Sequence, residues 1–231
     1  MTAFPKHLAR QLDVRRETPV KTLSAASGGI LIHAEGGASI WSRSVVIAVP
    51  PPTALTLLAP IAGEGRESGA IFALLRMIGS QSCLTAIAGY PGDADRPPWD
   101  VCYPDDSAIV QMISHDSVKR TAPRFVVLVV QARPCWSLAH LGEAEETWSA
   151  ALVEEAARIV GAWAGQPSWV RSQRWRFARS DRGSEMSRPL SIRLGGGGRV
   201  IVTGEAFAQG GGIEAAWRAG RAAARRLLEE E

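Results

Sequence analysis

A mixed α/β (α+β) architecture is what this sequence predicts, on three observations. A closing unit runs from an apolar strand, Arg199 to Thr203, through a glycine turn into a helix ending at Leu228. The first segment holds strand-like runs punctuated by glycine pairs. A middle region sets further strands before one helix with a clear apolar stripe. At 231 residues, 46% hydrophobic and 21% charged, the chain can bury a sizeable core, as one large domain or two small ones.

Taken in order, residues 4–12 predict a short helix. Pro5 sits in its first turn, where a missing N–H costs little, and Phe4, Leu8 and Leu12 make one stripe. Residues 14–23, 29–33 and 38–49 predict three strands, with Gly28-Gly29 and Gly36-Gly37 as hairpin turns. Ser44 to Val49 is continuously apolar, as expected of a strand covered on both faces. Pro50-Pro51-Pro52 ends it, and a helix is expected over 53–58.

Strands are then expected at 83–90, 99–103, 108–114 and 124–132, the last being the plainest in the chain. Trp148, Leu152, Ala156, Ile159 and Trp163 recur at helical spacing and predict a helix over 148–163. Residues 173–178 alternate Trp175 and Phe177 against Arg174 and Arg176, a further strand. Residues 179–198 read as loop, and no internal repeat is present.

The closing unit carries the chemistry. After the strand come Gly204-Glu205, then Gly210-Gly211-Gly212-Ile213-Glu214 and a helix of small residues. Uncommitted N–H groups at a helix start face electron-rich groups well, and the helix dipole favours negative charge there. Glycines admit a cofactor close to the main chain, and a carboxylate at the strand tip accepts from sugar-like hydroxyls. A nucleotide-cofactor site fits this spacing. So does a plain glycine-rich loop before a surface helix, and the spacing alone does not separate the two.

Composition narrows the rest. The formal charge of +3 comes without a basic stripe interleaved with aromatics, so nucleic acid is not expected as a partner. Arg218, Arg221 and Arg225 share a helix face that reads as solvated, with Ala216, Gly220, Ala223 and Leu227 opposite as the packing face. Cys83, Cys102 and Cys135 are odd in number without a CxxC, and the four histidines are scattered without an HExxH. Neither a disulfide framework nor a metal site is expected. No apolar run is long enough to span a membrane and no signal sequence is visible, so a cytoplasmic location is the expectation. His115-Asp116 beside a serine invites a hydrolase triad. No GxSxG elbow accompanies it, and neighbours on a strand face opposite ways.

Three stretches together resemble the flavin-dependent amine oxidase superfamily, and within it the renalase-like oxidoreductases. Phe4 to Ala9, followed by 14–23 and 45–52, is similar to that family's helix, β-meander and strand-to-proline exit. Gln173 to Ala178 resembles its Trp-Arg stretch. Gly204-Glu205 with Gly210 to Ala216 and Gly220 resembles its closing flavin motif, and Trp136-Ser137 with His140-Leu141 a stretch of its substrate region. The resemblance implies a partial FAD-binding layer at 1–52 and 173–231, interrupted by a substrate domain at 53–172 with a mixed, largely antiparallel sheet.

It also implies roles. Glu205, after Gly204, would accept from the ribityl hydroxyls of FAD. Gly211, Gly212 and Ile213, with Glu214 next to them, would turn main-chain N–H groups toward the flavin pyrimidine edge. Val20 would offer main-chain hydrogen bonds to adenine. Trp175, the catalytic candidate, would line the pocket before the flavin ring, although a core tryptophan is the plainer reading of that residue. Arg174 and Arg176 read either as outward residues of an alternating strand or as contacts to an anionic substrate.

The family opens with a βαβ unit bearing a GxGxxG turn for the pyrophosphate, and no such turn follows an apolar strand near Met1. The expectation is that about a hundred residues of the usual front half are absent. The FAD site would then be incomplete in this chain, strands 45–49 and 199–203 would lack their usual neighbour, and a second polypeptide would supply the GxGxxG half. Two functions follow. One is an FAD-dependent oxidoreductase passing hydride from a dihydronicotinamide or amine, a small-molecule substrate, to flavin, with O2 as acceptor. The other is a non-catalytic remnant or partner-binding module of a split flavoprotein.

Overall fold

The structure, a computed structural model, describes residues 3–65, 67–92, 94 and 96–229. In chain order its first elements are α1 (Ala3–Leu8), β1 (Val20–Ala26), β2 (Gly29–Ala34), β3 (Ser39–Ser42), β4 (Ser44–Ile47), α2 (Pro51–Leu58) and α3 (Ser68–Met77). There follow β5 (Ser80–Pro91), β6 (Val101–Cys102), β7 (Val110–His115), β8 (Phe125–Ala132), α4 (Pro134–Ala139), α5 (Glu145–Val160) and β9 (Trp169–Ser180). The chain closes with β10 (Leu190–Arg193), β11 (Arg199–Val202) and α6 (Gly212–Leu228). The class is mixed α/β, as expected.

Two units result, Met1–Ile78 with Ser184–Glu231, and Gly79–Gly183. The seams expected at 52 and 172 fall elsewhere. Ala54, Leu58, Ile71 and Leu75 of α2 and α3 pack into the first unit's core. Strand β9 joins the second unit because it pairs along β5, from Ser80 opposite Ser180 to Gly89 opposite Trp169.

In the first unit, β1, β2 and β3 form an antiparallel meander, turning at Gly28 and at Gly36-Gly37 as expected. A second sheet has the order β10-β11-β4, with β10 antiparallel and β4 parallel to β11. Leu23, Ile30, Ile47, Val200, Val202 and Phe207 share one apolar core with α2 and α3.

Several boundaries differ from expectation, for physical reasons. The strand expected from Val14 begins only at Val20, because Glu17 takes φ 55° and Pro19 has no N–H to give a ladder. The single strand expected over 38–49 breaks at Arg43 into β3 and β4, which belong to different sheets. There the Ser42 hydroxyl donates to the Ser44 carbonyl at 2.7 Å. Strand β4 is covered on one face, not both: Ile47 is buried whereas Val46 is 43% exposed. Among the described residues no strand pairs with its outer edge. Strand β11 is flanked on its other side by β10, which arises where loop was expected. Leu190 and Ile192 alternate inward there, a pattern too short to read between Pro189 and the glycines.

The second unit is an antiparallel sheet of order β6-β7-β8-β5-β9, with α5 against it. Leu84, Ala86, Ala88, Ile113, Leu128 and Val130 meet Trp148, Leu152 and Ala156. Helix α5 stops at Gly161, short of the expected 163. Trp163 lies in a following 3-10 turn and packs edge-on against Tyr90 at 4.9 Å. Helices α3 and α4 were not foreseen, although Ile71, Phe72 and Leu75 of α3 are all buried. Among the described residues no helix is long and apolar enough to cross a membrane.

Candidate functional site

Strand β11 is buried along its whole length between β10 and β4. Thr203 extends it, donating its N–H to the Ile47 carbonyl at 2.9 Å. The Thr203 hydroxyl is buried and has no hydrogen-bond partner among the described residues. Gly204 then turns the chain at φ 140°, ψ −167°, a conformation that residues with a Cβ rarely adopt. A 3-10 turn, Glu205–Phe207, follows, held by the buried Ala206 and Phe207. The Phe207 N–H reaches back to the Gly204 carbonyl at 3.1 Å.

Glu205 therefore leaves a fixed turn, and its carboxylate Oε2 accepts the main-chain N–H of Gly212 at 3.0 Å. The intervening loop ends in three consecutive left-handed residues, Gly210 (φ 98°), Gly211 (φ 64°) and Gly212 (φ 70°). At Gly211 and Gly212 an added Cβ would meet nothing within 4 Å, so backbone conformation and not crowding demands glycine. Arg218 closes the loop from the helix side, donating to the Gln209 carbonyl at 2.6 Å.

With the Gly212 N–H held by Glu205, the N–H groups of Ile213 and Glu214 remain as first-turn donors of α6, without intrahelical acceptors. The side chains of both residues are exposed. The Glu214 carboxylate lies 3.7 Å from Arg218, an exposed i,i+4 pair that adds little stability. Helix α6 packs through Ala215, Ala219 and Ala223. This stripe is rotated from the expected Ala216–Gly220–Ala223–Leu227 face, and Gly220 is exposed. Arg218, Arg221 and Arg225 face outward as expected.

The structure thus brings Gly204, Glu205, Gly211, Gly212, Ile213 and Glu214 into one loop-and-helix clasp. Val20 lies in the same unit but in the other sheet, opposite Ala34 and beside a bulge in β1. Trp175 belongs to the second unit, on β9 opposite Cys83. It is 51% exposed, which overturns the reading of a core tryptophan. Its neighbour Arg174 is committed locally, donating to the Leu141 and Glu143 carbonyls, each at 2.8 Å, so an anion-contacting role for Arg174 is not retained. The sequence reading missed Thr203, whose hydroxyl stands at the strand tip, and Arg218, whose reach to Gln209 only the folded loop creates.

The triad suggested by His115-Asp116 does not form. Both His115 ring nitrogens are buried without a partner among the described residues. Asp116 is bound by Lys119 and Arg120, each at 2.9 Å, and these cations hold its carboxyl below the usual range. Among the described residues no group of three or more His, Cys, Asp and Glu is placed to hold a metal.

Comparison with known proteins shows the family and the fold. A family model for flavin containing amine oxidoreductases matches residues 1–228. A search among curated proteins finds no match. Among solved structures, a redesigned triple mutant of putrescine oxidase superposes with a TM-score of 0.68 at 17% identity, covering 99% of this chain and 52% of that one. Putrescine oxidase bound to putrescine gives 0.66 at 17% identity, over 98% and 51%. Cyclohexylamine oxidase from Brevibacterium oxydans IH-35A gives 0.59 at 17% identity, over 92% and 48%. At these identities the likeness is one of fold, and the chain spans about half the length of the structures it matches. The flavin cofactor, FAD, expected from the sequence agrees with the family. This chain, with its Glu205–Gly212 clasp, belongs to the flavin-containing amine oxidoreductase family.

Proposed function

We propose that this chain carries the closing flavin turn and the substrate domain of a renalase-like, FAD-dependent oxidoreductase. A dihydronicotinamide or an amine is oxidised, and O2 is the terminal acceptor. The observation that most supports this reading is the clasp itself, in which Glu205 and three left-handed glycines present the N-terminus of α6.

The residues present fit the cofactor. The Ile213 and Glu214 N–H groups supply donors beside the positive end of the helix dipole, suited to an electron-rich ring edge. A carboxylate offers about four acceptor positions, so Glu205 can hold Gly212 and still accept from a ribityl hydroxyl. The buried Thr203 hydroxyl lacks a partner among the described residues and lies next to Gly204. Val20, beside the β1 bulge, is proposed to offer main-chain groups to adenine. FAD, when bound, supplies the hydride-accepting ring. Trp175 is proposed as the aromatic that meets the small-molecule substrate and orients it.

The dinucleotide-cradling GxGxxG half is proposed to come from a further polypeptide segment that adds along the outer edge of β4, with which no strand pairs among the described residues. The test is flavin absorbance of the purified protein, first alone and then co-expressed with the segment that carries the turn. The chain alone is expected to hold little or no FAD, and the co-expressed pair close to one per chain. A chain that purifies yellow by itself refutes the need for the second segment. A pair that stays colourless refutes the oxidoreductase and favours the non-catalytic module, for which the same exposed β4 edge speaks.

A further inference from the structure

A small cavity lies at the end of β7, wholly within the second unit. Its volume is about 130 Å3, and Arg96, His115, Ser117, Val118, Arg120 and Pro123 line it. Its polar groups share one property: they have donors to place. His115 is 4% exposed, and neither ring nitrogen has a hydrogen-bond partner among the described residues. A neutral imidazole carries one N–H donor and a protonated one carries two, so burial without an acceptor is costly. Ser117 is 2% exposed. Its Oγ accepts the Val127 N–H at 2.6 Å, and its own proton has no acceptor among the described residues.

Two guanidinium groups reach the same cavity. Arg96 donates to the Gly92 carbonyl at 3.1 Å and Arg120 to Asp116 at 2.9 Å. Each guanidinium has five N–H donors, so both keep donors beyond these bonds. No carboxylate lines the cavity among the described residues. Two guanidinium groups with spare donors around a small volume lack one thing, an acceptor with several lone pairs and negative charge.

We propose that this cavity binds a small oxyanion, held by the Arg96 and Arg120 guanidinium groups, with His115 and Ser117 in the cavity wall. The site is independent of the flavin reading and lies outside the clasp. Burial and the neighbouring Arg96 hold the His115 imidazole below its ordinary pKa, while Asp100 acts against them. Asp116, Lys119 and Arg120 follow on the same chain, and on β8 the residue opposite His115 is the apolar Leu128. An anion in the cavity adds negative charge next to the ring, so it raises the His115 pKa and binds more tightly as pH falls.

The experiment is an NMR titration of the histidine ring signals of the full chain with sulfate, which does not titrate near neutrality, and separately with acetate. Sodium chloride holds the ionic strength constant. A saturable shift confined to His115, an upward move of its pKa, and affinity about tenfold weaker in Arg96→Ala are expected. Arg96 is exposed on a loop, so this variant folds. Saturation by sulfate but not acetate identifies a tetrahedral ligand, and the reverse a carboxylate. The proposal is overturned by no saturable His115 response to either anion. An equal response to chloride alone, or one unchanged in Arg96→Ala, overturns it as well.

Discussion

The Glu205 carboxylate and the Gly212 main-chain N–H, 3.0 Å apart, tie the end of the last strand's turn to the first residue of the last helix. The bond is a side-chain cap supplied from outside the helix, and it fixes where the remaining first-turn donors point.

Replacing Glu205 by Ala removes that cap. Unfolding free energy of the chain is expected to fall by about 1 kcal/mol, measured by urea denaturation. In the flavin-loaded, complemented protein, FAD affinity is expected to weaken by about 1–3 kcal/mol. Glu205→Gln keeps an acceptor for Gly212 and is expected to restore most of the stability but less of the affinity. Unchanged FAD affinity in Glu205→Ala would remove this residue from the site.

Two glycines of the closing unit are expected to respond in opposite directions. Gly204 sits at φ 140°, so Gly204→Ala should destabilise by roughly 1–3 kcal/mol. Gly220 lies on an exposed face of α6 with nothing within 4 Å of an added Cβ. Gly220→Ala should stabilise by roughly 0.5–1 kcal/mol, through helix propensity. Equilibrium unfolding of the two variants, measured side by side, checks both signs at once.

Because Trp175 is half exposed, Trp175→Ala is expected to move stability by no more than about 0.5 kcal/mol. Turnover of the complemented enzyme should nevertheless fall, with FAD content unchanged. A large loss of thermal stability, or full turnover, would show that the indole is a packing residue and nothing more.

His115 sets a pH dependence of stability. Its folded-state pKa is lowered, chiefly by burial, from the ordinary 6.5. Between that value and the lower folded one, the unfolded chain binds a proton that the folded chain refuses, so stability drops as pH falls. The contribution is intact above 6.5 and fully lost once pH is below the folded pKa. Thermal midpoints taken across this window should slope downward with acid in the wild type and flatten in His115→Leu. Parallel profiles would mean that other groups control the acid limb.

The period-two and helical patterns of the sequence carried most elements. The hairpins at Gly28 and Gly36-Gly37, strand β8 and helix α5 all follow from local spacing, because turn chemistry and amphipathic stripes are local properties. Strand β10 and helices α3 and α4 were illegible because short runs such as Leu190–Arg193 become strands only when a neighbour, here β11, supplies the hydrogen bonds. The exposure of Val46 and Trp175 was equally hidden, since the same apolar letters serve a core or an open face.

By itself the sequence determined the clasp's ingredients: a buried strand, a carboxylate at its tip and glycines where the backbone must turn left. The family and its flavin could be anticipated from their order. Only the tertiary structure decided which atom the Glu205 carboxylate meets and which stripe of α6 packs. It also decided that Arg174 donates to two local carbonyls while the His115 ring is left without a partner among the described residues. Those outcomes depend on contacts between residues far apart in the chain, and no local pattern encodes the geometry of such contacts.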